Sequence, residues 1–158
     1  MPKQNHDAYM QEYDGIPLKI ITEAQVIGVS STRHDKMYVK ALWDTGAMKS
    51  AITHNLASQL NLKSIKRVKV NGVNSVGYAK VVKISVLLPN LHIVDDVNAT
   101  VCNLIHGVDL LIGMDIIMIG DFCISNGGGK TLFSFAIPPF ENKTNLCEKA
   151  QAVNSRKR

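Results

Sequence analysis

The 158-residue sequence is short of the features by which many functions announce themselves. Its three cysteines, Cys102, Cys123 and Cys147, are odd in number, far apart and without a CxxC pair. That pattern excludes a disulfide framework and a cysteine zinc site. Free thiols suit a reducing compartment. Cys102 and Cys123 lie in apolar, strand-like runs and are expected as small core residues; Cys147 falls in a polar tail. Long apolar runs are also missing. The most apolar window, VDLLIGMDIIMIGDF, is interrupted by Asp115 and flanked by Asp109 and Asp121. It is too short and too charged to span a bilayer. The opening residues, MPKQNHDAYMQEYDG, contain no apolar signal-peptide region. A cytoplasmic protein without a membrane partner is expected.

Strong charge of one sign is scarce in the body of the chain. The formal net charge is +5, but residues 141–158 hold +3 of it, leaving about +2 for the rest. The closing Arg156-Lys157-Arg158 run reads as a solvated end, and no nucleic-acid partner is expected. The five histidines show no i, i+4 pair or other metal-ligand spacing, so neither a metal nor a cofactor is expected. No Ser or Cys stands in a nucleophile elbow. SNGGGKT ends like a phosphate-binding loop but has Ile124 where the first glycine belongs, and GVNSVGY has Tyr78 where lysine is required. Both read as hairpin tips. There are no internal repeats.

What is present is a period of two, broken by turn residues. Residues 1–15 read as a flexible N-terminal arm, 16–139 as one folded domain and 140–158 as a polar C-terminal tail. LKIITEAQVIGV and KMYVKALW read as strands. THNLASQLNL reads as a helix with Thr53 as N-cap and Leu56 and Leu60 on one face. SIKRVKV and YAKVVKISVLLP read as strands around the turn NGVNSVG, with Val82, Ile84 and Val86 on one face and Lys83 and Ser85 on the other. HIVDDVNATVCNLI and DLLIG add strands, MDIIMIG a short helix, and DFCISNGGGKTLFSFAIP a hairpin about Gly127-Gly128-Gly129. The sum is an all-β domain with one or two short helices.

The chemistry concentrates in KALWDTGAMKSAIT, where a strand runs into Asp44-Thr45-Gly46. Asp-Ser/Thr-Gly arises by chance in roughly one chain in ten or twenty of this length, so its setting matters more than the triplet. Sixty-seven residues after Gly46 comes Gly113, in DLLIGMDII, and the glycine-bearing hairpin lies between. This order resembles the retropepsins, the single-domain, retroviral-type aspartic proteases, over about residues 18–137, and reads as a cellular, bacterial member of them. LWDTGA is similar to their catalytic loop, NGVNSVGYAKV to their flap and LLIGMDII to the segment before their C-terminal helix.

The resemblance implies a closed acid-protease barrel with one lobe per chain. Aspartic proteolysis needs two carboxylates about 3 Å apart, sharing one proton. The sequence contains a single Asp-Thr/Ser-Gly. The second acid must then come from another copy, across the two-fold axis of a homodimer. Asp44 is the implied catalytic acid and base, Thr45 the bond across the axis, and Gly46 the tight turn. Ala47, Met48, Val73, Asn74, Ser75, Val76 and Ile112 are implied to contact a polypeptide bound as an extended strand, with Ile52 adding to the apolar subsites. Met48 and Met114 stand where many viral relatives carry an acid and an arginine, so an apolar contact in place of an ion pair is expected. Two other readings stay open. One is a catalytically weak peptide-binding or dimerisation module on the same fold. The other is a latent protease whose MQEYDGIPLKI segment occupies the cleft until cut.

Overall fold

The computed structural model describes residues 5–28, 35–71 and 76–156. Its first barrel strands follow from alternation. In β2 (Ile20–Gly28), Ile20, Thr22, Ala24 and Val26 point inward, while Ile21, Glu23, Gln25 and Ile27 face outward. In β3 (Lys36–Trp43) the inward set is Val39, Ala41 and Trp43. This is the two-residue period of a half-buried strand. The two pair antiparallel from Ile20 opposite Trp43 to Ile27 opposite Lys36.

Next come β4 (Ala51–Ile52), α1 (His54–Gln59), β5 (Ser64–Asn71), β6 (Val76–Leu87), β7 (Ile93–Val101), β8 (Leu110–Ile112) and α2 (Met114–Ile117). Pairing runs β2-β3-β8-β4-β7-β6, and β6 returns to β2 through Gln25–Leu87 to Gly28–Ile84. The barrel is therefore closed, which removes open edges. β5 stands outside the ring, paired only to β6 as the second arm of a hairpin. The all-β expectation holds. Among the described residues, no helix is long and apolar enough to cross a membrane.

Thr53 caps α1 as its sequence indicates: its Oγ1 accepts from the Leu56 amide at 3.2 Å. Leu56 and Leu60 are both buried. The β6 alternation holds for Val82, Ile84 and Val86, but Ser85 is buried as well. The pairing of β6 with β7 shifts register between Ile84 and Val86, and the Ser85 hydroxyl donates to Asp95 Oδ1 at 2.6 Å. A bulge of this kind turns an outward position toward a partner that satisfies it.

A second sheet, of order β1-β10-β9, packs on Trp43. It comprises β1 (Asp7–Tyr13), β9 (Asp121–Gly127) and β10 (Lys130–Ile137). The β9–β10 turn uses Gly128 and Gly129, both at positive φ (63° and 77°), as a two-residue hairpin of the favoured twist requires. The Trp43 ring meets Phe133 at 5.1 Å and Phe135 at 4.8 Å between centroids, and its Nε1 donates to Thr22 Oγ1 at 3.0 Å. Each aromatic contact adds about 0.5–1.5 kcal/mol beyond area burial. The residue directly before Asp44 is thus among the most firmly held in the chain.

Two expectations are corrected here, the N-terminal arm and Cys123. Residues 7–13 are a strand rather than a flexible arm, because Tyr9, Gln11 and Tyr13 alternate onto one face and β1 pairs with β10 along its whole length. Burial raises the Tyr9 hydroxyl well above its ordinary pKa. Met10 to Tyr13 of the proposed cleft-filling segment are consequently engaged in this sheet. The tail holds α3 (Leu146–Ser155), capped by Asn145 and without a buried residue. Cys123 is exposed rather than core, being on the outward face of β9, while Cys102 is half-buried.

Candidate active site

β3 and β8 run parallel, with Trp43 beside Ile112, so the chain leaves both strands at one level. The loops that follow are laced together. The Asp44 amide donates to the Ile112 carbonyl at 2.9 Å, and the Met114 amide to the Ala47 carbonyl at 2.8 Å. Within the Asp-Thr-Gly turn, the Gly46 amide donates to Asp44 Oδ1 at 2.8 Å and the Ala47 amide to the Asp44 carbonyl at 3.2 Å. These bonds fix one carboxylate oxygen by a backbone N–H, and among the described residues the other has no hydrogen-bond partner. Asp44 is half-buried, and Thr45 and Gly46 are exposed. The carboxylate stands at an open surface of a single chain. Two surface cavities, of about 150 and 310 Å³, are lined by other residues.

Beneath the turn lies an arrangement the sequence did not announce. Ser50 is fully buried. Its hydroxyl donates to Asp115 Oδ1 at 2.7 Å and accepts from the Gly113 amide at 3.1 Å, while its own amide donates to both Asp115 oxygens at 3.0 and 3.1 Å. One hydroxyl thereby ties the loop after Asp44 to the start of α2. Gly113 is needed for this closeness, since a Cβ there would lie 2.7 Å from the Lys49 carbonyl carbon and 2.9 Å from the Ala47 oxygen. Replacing Ser50 with Ala leaves a buried N–H and a carboxylate short of partners. The expected cost is about 1–3 kcal/mol, read as a lower midpoint in thermal denaturation.

Of the residues singled out by sequence, Asp44, Thr45, Gly46, Ala47 and Met48 lie together on this loop. Val73, Asn74 and Ser75 lie outside the described residues, and Val76 opens β6 opposite Asn71. Ile112 and Ile52 are corrected: both side chains are fully buried in the core, because β8 and β4 are interior barrel strands. Ile112 serves the site through its carbonyl instead. The expected Met48–Met114 contact is also corrected. Met48 is 83% exposed, whereas Met114 packs against the core. On the hairpin, strand alternation puts Val68, Val70 and Ala79 on one face. Among the described residues there is no group of three His, Cys, Asp or Glu side chains placed to hold a metal.

The sequence model of the family described as gag-polyprotein putative aspartyl protease matches residues 31–118. The fold is similar to the crystal structure of a retropepsin-like aspartic protease from Rickettsia conorii. That match has a TM-score of 0.54 and 16% identity, and covers 87% of this chain and 98% of that one. At such low identity the likeness speaks for the fold. No curated protein matches the sequence.

Proposed function

The chain belongs to the gag-polyprotein putative aspartyl protease family, and from that premise we propose that it is a homodimeric aspartic endopeptidase using Asp44 of each subunit. The observation that carries this reading is the placement of Asp44. It sits on a loop braced from below, with Thr45 and Gly46 exposed beside it, in a sequence with a single Asp-Thr-Gly. A second copy related by a two-fold axis through this loop brings two such carboxylates together.

Like charges about 3 Å apart cannot both ionise, so the pair shares a proton. The ionised carboxylate takes a proton from the attacking water. The protonated one gives its proton to the scissile carbonyl oxygen, and the resulting tetrahedral diol collapses with proton transfer to the leaving amine. Thr45 bonds across the axis and holds the loops in register. The β5–β6 hairpin acts as a flap, closing over an extended peptide with the Val68, Val70 and Ala79 face toward it. Met48, exposed beside the loop, is available to the same peptide.

The test is cleavage of casein and a peptide library between about pH 4 and 7, with and without a pepstatin-type inhibitor. Inhibitor-sensitive cleavage supports the peptidase. Tight binding of inhibitor or peptides with no turnover points instead to a binding module on the same fold.

A further inference from the structure

The modest charge of the body conceals a sharp division. Residues 45–94 contain seven Lys and Arg and no Asp or Glu, and the remainder of residues 1–140 carries a net −5. Most of these cations fall on or beside the β5–β6 hairpin: Lys63, Lys66, Arg67, Lys69, Lys80 and Lys83. Lys83 is paired with Asp96 at 3.1 Å. Among the described residues, Arg67, Lys69 and Lys80 have no salt-bridge partner.

Register makes these three a unit. Arg67 lies directly opposite Lys80, and Lys69 opposite Tyr78, on one face of the hairpin. All four are exposed, Tyr78 at 74%. Like charges directly opposite on antiparallel strands destabilise the pair, so this arrangement opposes the hairpin that carries it. Lysines on β5 could serve simply to protect an edge strand. Edge protection, however, works with either sign and does not call for a cation on β6 facing Arg67. Neighbouring charges well within the ~8 Å screening length act on an anion together, and an exposed aromatic among them adds contact area.

We infer that this cationic face of the hairpin is an electrostatic exosite that recruits polypeptide substrates bearing an acidic stretch beside the segment to be cleaved. The inference rests on the proposed peptidase reading. The opposite face of the same hairpin, formed by Val68, Val70 and Ala79 with Lys66 next along it, would cover the scissile segment, so the flanks of that polypeptide emerge next to Arg67, Lys69 and Lys80. A two-fold dimer presents the cluster twice.

Binding is measured first, in an Asp44→Asn background that needs no turnover. The probes are labelled peptides sharing one core of Leu, Thr and Phe, flanked by runs of glutamate, glutamine or lysine. Fluorescence anisotropy at low salt is expected to show the glutamate-flanked peptide binding about 10-fold tighter than the glutamine-flanked one, the sum of a few exposed ion pairs. The advantage is expected to vanish near 0.3 M salt, roughly the screening limit, and in the Arg67→Gln/Lys69→Gln/Lys80→Gln variant. Lys80→Glu alone, which turns the opposed pair attractive, is expected to raise the thermal midpoint while cutting the advantage. In the active protein, the triple variant should lower the preference in kcat/KM for glutamate-flanked over glutamine-flanked peptides about 10-fold.

Equal binding of the glutamate and glutamine probes, or an advantage that survives the triple variant, overturns the exosite. So does a single-stranded RNA of equal charge that binds more tightly than the peptide through the same residues, which assigns the face to nucleic acid. Charge-dependent peptide binding without any cleavage by the wild-type chain would leave the exosite standing and remove the peptidase reading. Cleavage without flank preference would do the reverse.

Discussion

Asp44→Asn is expected to abolish peptide hydrolysis, by about 10³-fold or more, while leaving folding intact. The size follows from what is removed. In the proposed dimer both carboxylates of the dyad come from position 44, so one substitution takes away the base and the acid together, and general acid–base catalysis is worth about 10²–10⁴-fold. Groups that act as a unit lose nearly everything when any part is lost. The Asn amide can keep the bond from the Gly46 amide through its oxygen, preserving the turn seen at 2.8 Å. Matching circular dichroism and thermal midpoints, beside initial rates on the best library peptide, make the comparison clean. Full activity in the variant would place the chemistry elsewhere.

The second large effect is expected from a residue that carries no functional group. Gly113→Ala introduces a Cβ within 3 Å of three backbone atoms, the Lys49 carbonyl carbon and oxygen and the Ala47 oxygen. None is the end of a flexible side chain, so the backbone itself must move. The segment that moves is the one following Asp-Thr-Gly, and the Met114–Ala47 and Gly113–Ser50 bonds move with it. Overpacking of this kind costs about 1–3 kcal/mol or more. A displacement near 1 Å at a reacting group costs about 10²-fold in rate. Stability measured by denaturant and kcat/KM measured on the folded fraction should both fall. The contrast with Asp44→Asn, where stability holds and rate alone collapses, separates positioning from chemistry.

How much of this was open to a reader of the sequence depends on distance along the chain. The strand entering Asp44, the Thr53 cap and the β9–β10 turn were legible because each is decided by a few neighbouring residues. β1 was not. DAYMQEY is polar enough to read as an arm, and becomes a strand only because Tyr9 meets Phe135 more than a hundred residues later. Ser50 and Asp115 were missed for the same reason, being 65 residues apart and unremarkable in their local windows. Ile112 was singled out by its place beside Gly113, but parallel pairing with β3 turns its side chain into the core. Cys123 shows the converse: an apolar run set its expectation, and a sheet with one outward face exposed it. The charge division went unseen because summing over the whole body cancels an acid-free stretch against an acidic remainder.

The most direct measurement mixes subunits. Wild-type and Asp44→Asn chains, co-refolded in varied ratio at constant total concentration, form homodimers and mixed dimers at random. If each site needs both Asp44 carboxylates, mixed dimers are inactive and the rate follows the square of the wild-type fraction, about a quarter at equal proportions. A rate that instead falls linearly, to about half at equal proportions, would mean that each chain carries a complete site of its own and would contradict the shared one.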